Sequence, residues 1–182
     1  MALVYLLIVI VVIGLWFIAT YNGFITLKNR VKNSWAQVDV QLKRRYDLIP
    51  NLIETVKGYA AHEKEIFEKL GELRAKAMGA QTVKDVGDAN NEISQTLKTL
   101  FAVAENYPEL KANQNFLQLQ EELTATENKI AFSRQFYNDV VMQYNTMQEK
   151  IPASIVARVM GLKAEQYYPV SEEERGPVRV QF

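Results

Sequence analysis

Apolar positions fill the start of the chain without a break: residues 1–27 contain no Asp, Glu, Lys, Arg or His, and Lys28, Arg30 and Lys32 follow at once. A helix rises about 1.5 Å per residue and needs roughly 20 apolar residues to cross a hydrocarbon core of about 30 Å. Residues 3–24 supply that length, with Thr20 and Asn22 the polar interruptions near the far end. Tyr5, Trp16 and Tyr21 are amphipathic rings of the kind that collect at membrane interfaces. The pattern predicts a transmembrane helix. A cleaved signal peptide would carry a basic n-region, a shorter apolar stretch and a small-residue cleavage site, and this segment has none of them.

Beyond the basic flank the apolar positions change period. Val31, Val38, Arg45, Leu52, Tyr59, Ile66 and Leu73 recur at seven, and Trp35, Leu42, Ile49, Val56, Glu63, Leu70 and Ala77 fill the intermediate positions. That 4–3 spacing predicts a helix packing along one seam. Pro50 leaves the phase unchanged, so the expectation is a kinked but continuous helix. Gly58 and Gly71 each cost roughly 1 kcal/mol relative to Ala, which packing has to offset.

Residues 78–91, with Gly79, Thr82, Asp85, Gly87, Asp88 and Asn90, break the period and predict a loop. A shorter helix is expected over 92–105 with Ile93, Leu97, Leu100, Phe101 and Ala104 on one face. Tyr107-Pro108 ends it, and Pro108 suits the first turn of the next. There Phe116, Leu123, Ile130, Tyr137, Tyr144 and Ile151 repeat at seven without a gap, giving a seam on the order of 50 Å. Phe136, like Phe116, Tyr137 and Tyr144, sits at helical spacing and is assigned to the core. Pro152 stops the run, and residues 155–162 predict a short amphipathic helix capped by Ser154 or Ala153. Residues 165–182 read as a loosely held tail whose Val178-x-Val180-x-Phe182 alternation suits pairing with a sheet edge.

These elements define an all-α chain. A transmembrane helix (1–27) leads into an antiparallel helical bundle of two long and one or two short helices (28–164), followed by a flexible tail (165–182). The roughly 155 residues after the span suffice for one domain with a real core. The 21 basic and 21 acidic side chains cancel, so no basic face argues for nucleic acid. Lys28, Arg30, Lys32, Lys43, Arg44 and Arg45 all follow the span and none precedes it. That asymmetry predicts an amino terminus outside and a cytoplasmic bundle. The chain has no cysteine, so lipid anchors through cysteine and disulfides are excluded. The span offers Gly14 but no GxxxG face, so anchor-driven dimerisation has no support.

The densest block of functional groups is 35–52. Asp39 with Lys43 and Lys43 with Asp47 are i,i+4 pairs, Arg44 lies beside them, and Arg45 falls on the seam, as does Glu63 further along. Two readings fit: a polar site inside the bundle, or a register pin in which seam charges pair with the opposite long helix. Glu127, Asn128 and Arg134 are the expected partners there. His62 is the single histidine and its neighbours lack H-E-x-x-H spacing, so no metal is expected. No nucleophile elbow, P-loop or dinucleotide fingerprint occurs, and no cofactor, small-molecule substrate or catalytic activity is expected.

The block 35–52, its continuation from Glu54 through Lys57-Gly58-Tyr59 to His62-Glu63, and the stretches Pro108 to Phe116, Thr126 to Ala131, Tyr137-Asn138 and Tyr144-Asn145 resemble the LemA family of bacterial membrane proteins. The resemblance implies a single-pass inner-membrane protein with a helical domain in the cytoplasm, and no settled activity. The function expected on this basis is a membrane-anchored scaffold that contacts the bilayer through residues 3–24 and binds unidentified proteins or itself. Two alternatives remain: a signalling module hinged at Pro50, or recruitment of a partner through the apolar end at Phe182.

Overall fold

The computed structural model describes residues 1–60 and 63–169, and every regular element among them is a helix. In chain order these are α1 (Ala2–Lys57), α2 (Lys64–Gly79), α3 (Val83–Ala104), α4 (Pro108–Lys111), α5 (Gln114–Glu149) and α6 (Ala153–Val159). The apolar run and the first seam form one element: α1 is unbroken for 56 residues, about 84 Å at the helical rise. Asn22-Gly23 is part of it. Gly23 serves as a close approach, since a Cβ there would meet the Met147 methyl at 3.1 Å.

The core forms where α1 and α5 run antiparallel. Val31, Val38, Leu42, Ile49, Leu52 and Val56 of α1 are buried, as are Phe116, Leu123, Ile130, Tyr137 and Tyr144 of α5. Trp35 meets Tyr137 edge-on at 5.3 Å between centroids, and Phe24 meets Tyr144 at 6.5 Å. The second layer is α2 against α3, and α6 crosses the far end of the α1–α5 pair.

The expected continuous helix through position 77 is corrected in one place. It survives Pro50 and ends at Gly58, beyond which α2 starts a new direction at Lys64. Gly58 gives the last turn no side chain to pack, and Tyr59 turns outward to 40% exposure. The expected loop over 78–91 shrinks to residues 80–82. Thr82 caps α3 by accepting the Asp85 N–H at 3.1 Å. Asp85, Gly87, Asp88 and Asn90, which signalled a loop, lie inside α3 because packing overrides their low propensity: Gly87, Ala89 and Asn90 are buried.

Three smaller corrections concern the second half of the chain. Phe136 is 49% exposed and Ile151 is 88% exposed, so both leave the core to which their spacing assigned them. Neither Ser154 nor Ala153 caps α6, which begins after Pro152 without a side-chain cap. Finally, the tail is tightly held over residues 165–169, where Tyr168 is buried. His62 and the Val178–Val180–Phe182 alternation lie outside the described residues.

Candidate functional site

Arg45 stands at a seam position of α1, so its guanidinium projects into the bundle and is 1% exposed. An ion there is tolerated only when paired and held by several hydrogen bonds. Nη1 donates to Ser94 Oγ at 2.8 Å and pairs with the Glu127 carboxylate. Nη2 donates to the Asn90 backbone carbonyl at 3.2 Å and to its side-chain carbonyl. Nε has no partner among the described residues. Asn90 is fixed in turn, its Nδ2 donating to Tyr46 Oη at 2.6 Å and to the Val86 carbonyl at 2.8 Å. Ser94 Oγ donates to the second Glu127 oxygen at 2.8 Å.

One guanidinium therefore joins α1, α3 and α5. Burial pushes the Tyr46 phenol above its ordinary value, against the lowering effects of the Asn90 hydrogen bond and the Arg45 charge. The arrangement neutralises a buried cation with a partly exposed carboxylate, and its two Nη groups point at fixed protein acceptors. Its evident capacity is to hold three helices in register.

Of the predicted site residues, the structure brings Arg45 and Glu127 together as expected. Arg44 pairs with Glu122 at 3.5 Å on the surface, and Lys43 pairs with Asp47 at 3.0 Å. Asp39 is exposed on α1. Glu63 accepts a hydrogen bond from Tyr107 Oη at 3.0 Å, which raises the Tyr107 pKa. Asn128 is exposed on the rim of a cleft of about 210 Å³ that Leu97, Phe101 and Leu123 line between α3 and α5. Arg134, expected as a seam partner, instead lies over the Tyr168 ring at 4.6 Å and donates to the Pro169 carbonyl. Phe182 lies outside the described residues.

Pro50 takes a role its sequence position did not announce. Proline has no N–H for the carbonyl four residues earlier, which is that of Tyr46. Arg74 Nε of α2 donates to that carbonyl at 2.8 Å. The proline thus opens a docking point for α2.

A second polar system was missed by sequence reasoning. Asn145 forms two hydrogen bonds with the backbone of Glu165, at 3.0 and 2.9 Å, and Asn138 forms the same pair with Tyr168, at 3.2 and 2.8 Å. The spacing fits: seven residues of helix rise about 10.5 Å, and three residues of extended chain span about 10 Å. Tyr137 Oη adds a bond to the Gln166 carbonyl at 2.8 Å. The extended segment is strapped to α5 like an added strand. Its signal was visible in the repeated Tyr-Asn dipeptide at 137–138 and 144–145. Burial pushes both Tyr137 and Tyr168 up to about 12, with Glu165 adding to the rise at Tyr137.

Comparison with known proteins adds three relatives and a family. The profile of the LemA family matches residues 34–182. Magnetosome protein MamQ 2 of Paramagnetospirillum magneticum is 26% identical over 182 aligned residues, covering 84% of this chain and 67% of the relative. Magnetosome protein MamQ of Magnetospirillum gryphiswaldense is 24% identical, with 81% of this chain and 64% of the relative covered. Protein LemA of Metamycoplasma hominis is 23% identical, over 94% of this chain and 80% of its own length.

Proposed function

This chain belongs to the LemA family, and on that premise we propose that it is a non-catalytic, membrane-anchored helical interaction protein of the bacterial inner membrane. Its amino terminus lies outside and its bundle in the cytoplasm. The observation that carries the proposal is α1 itself. The helix begins with a run long and apolar enough to cross a membrane and continues unbroken into the bundle core. Two of its relatives are, by name, magnetosome proteins, which is compatible with membrane association and leaves the partner open.

A surface for partners is available on α5. Phe132 is 74% exposed and Phe136, one turn on, 49%. Adjacent exposed aromatics favour a protein contact. Crosslinking in native membranes should trap a consistent partner or a second copy, and Phe132→Ser with Phe136→Ser should remove that product while leaving the melting temperature unchanged. Recovery of monomer alone would refute the interaction reading. A single cysteine introduced at Thr99, reacting with an impermeant maleimide from the outside of intact cells, would refute the orientation.

The signalling alternative needs a joint. Arg74 engages the carbonyl that Pro50 frees, which argues against a hinge there, and the end of α1 at residues 58–60 suits one better.

A further inference from the structure

The bundle starts too early along α1 for the anchor to be a free tether. Residues 2–15 are exposed, whereas Trp16 and Phe17 already pack against the core and Thr20 and Phe24 are buried. Fourteen unpartnered residues reach about 21 Å, short of the roughly 30 Å hydrocarbon core. To span it, the bilayer must also take in the turns around residues 16–21, and those turns have protein beside them.

That protein is the corner where α5 meets α6. Gly23 faces Met147 and Phe24 faces Tyr144 in an antiparallel pair, so Ile151 comes level with roughly residues 17–19. It lies about 15 Å to the membrane side of Lys28, the first charge after the span. The corner is apolar on its outward side: Ile151 is 88% exposed, Ile155 58% and Val159 70%. The opposite side of α6 is apolar too, with Val156 and Ala157 buried against the bundle. A helix that is hydrophobic nearly all round belongs in a core or a membrane.

We infer that the α5–α6 corner is a second membrane contact, with Ile151, Ile155 and Val159 seated in the acyl boundary of the leaflet from which the bundle rises. The exposed Lys150 and Arg158 have stems long enough to lift their charges to the headgroups. Glu149 beside them sets a limit to depth, so the contact is interfacial, on the order of 5–10 Å below the headgroup boundary. Two contacts on one rigid bundle fix its tilt, which a single spanning helix would leave free. This inference rests on the reading of α1 as a transmembrane helix.

Because the chain has no cysteine, single-cysteine variants test it directly. Ile151→Cys, Ile155→Cys and Val159→Cys would each be labelled with nitrobenzoxadiazole in the full chain. The labelled chain would be reconstituted in vesicles of phosphatidylethanolamine and phosphatidylglycerol, with and without doxyl-labelled acyl chains. Leu7→Cys reports on the span. Thr99→Cys reports on the opposite end of the bundle, where Phe101 packs on Phe116. Expected is quenching by doxyl lipid at positions 7, 151, 155 and 159 and none at 99. Quenching at 7 without quenching at the corner overturns the inference and leaves the span intact. A blue-shifted but unquenched corner overturns it as well and identifies a protein neighbour, such as a second copy. Absence of quenching at position 7 overturns the span reading, and this inference with it.

Discussion

Removing Glu127 should damage this protein more than removing Arg45, although the two form one pair. Arg45 is buried while the Glu127 side chain is 39% exposed, so each deletion strands a different partner. Glu127→Ala leaves a guanidinium in the core whose remaining contacts are Ser94 and Asn90. An uncompensated buried charge costs about 3–5 kcal/mol. Arg45→Met leaves a carboxylate that water can still reach and fills the core with a side chain of similar length. Its main loss is the donor to the Asn90 side-chain carbonyl, about 1–3 kcal/mol. For a chain of this size each kcal/mol moves Tm by about 2–4 °C.

Thermal unfolding of the full chain in detergent, followed by circular dichroism, should therefore rank Glu127→Ala below Arg45→Met. The double variant should be no less stable than Glu127→Ala alone, because the stranded ion is gone. Such a cycle gives a coupling on the order of 2–3 kcal/mol. Additive single effects, or a Glu127→Ala cost under about 1 kcal/mol, would show that solvent already screens the pair and that the register-pin reading is wrong.

The two strapped tyrosines predict alkaline sensitivity. Below pH 10 folded and unfolded states both hold the phenolic protons, whereas between pH 10 and about 12 the unfolded state loses them first. Stability should fall there by about 1.4 kcal/mol per pH unit per tyrosine, and flat stability across that window would exclude the burial assigned to Tyr137 and Tyr168. Tyr137→Phe loses a hydrogen bond to Gln166 and should cost about 1 kcal/mol at neutral pH. Tyr168→Phe, whose hydroxyl has no partner among the described residues, should be neutral or stabilising in the same melts. Gly87→Ala would drive a Cβ to 2.3 Å from the Pro169 ring; it should cost about 1–3 kcal/mol and open the strap to proteolysis, and an unchanged digestion rate would count against that packing. Arg74→Met should cost about 1.5–3 kcal/mol beside Pro50 and clearly less in a Pro50→Ala background, where a backbone N–H at position 50 competes for the Tyr46 carbonyl. Equal costs in the two backgrounds would remove the docking role of Pro50.

Much of the fold was legible because it rests on heptad spacing, which sequence displays directly. The α1–α5 pair follows from positions at intervals of seven, and Arg45, a charge on that series, called for a partner on the opposite long helix such as Glu127. The parts that were not legible depend on contacts between distant segments. Asn90 and Gly87 look like loop formers locally, and it takes Arg45 and Tyr46 from α1 and Pro169 from beyond α6 to make their small or polar side chains fit a buried helix. Asn138 and Asn145 satisfy backbone groups of a segment twenty to thirty residues away, and such pairing leaves no periodic trace in that segment. Phe136 misled for the opposite reason: helical spacing identifies a stripe, and it cannot say that a stripe's edge stays outside.

Gly23 and Pro50 would both be read as points of bending, and both are points of contact. Gly23 lets the Met147 methyl approach the α1 backbone, and Pro50 exposes a carbonyl to Arg74. Between Phe24 and Val56 the helix is packed along α5 over about 48 Å, so it behaves as a strut. Any conformational change has to use the thinner joints, which are the α1–α2 break and the seating of α2–α3 on the strut. Arg45 and Arg74 both bridge that seating. If the bundle responds to a partner, the response is a shift of α2 and α3 against the α1–α5 pair, and these two arginines are the bonds it must break.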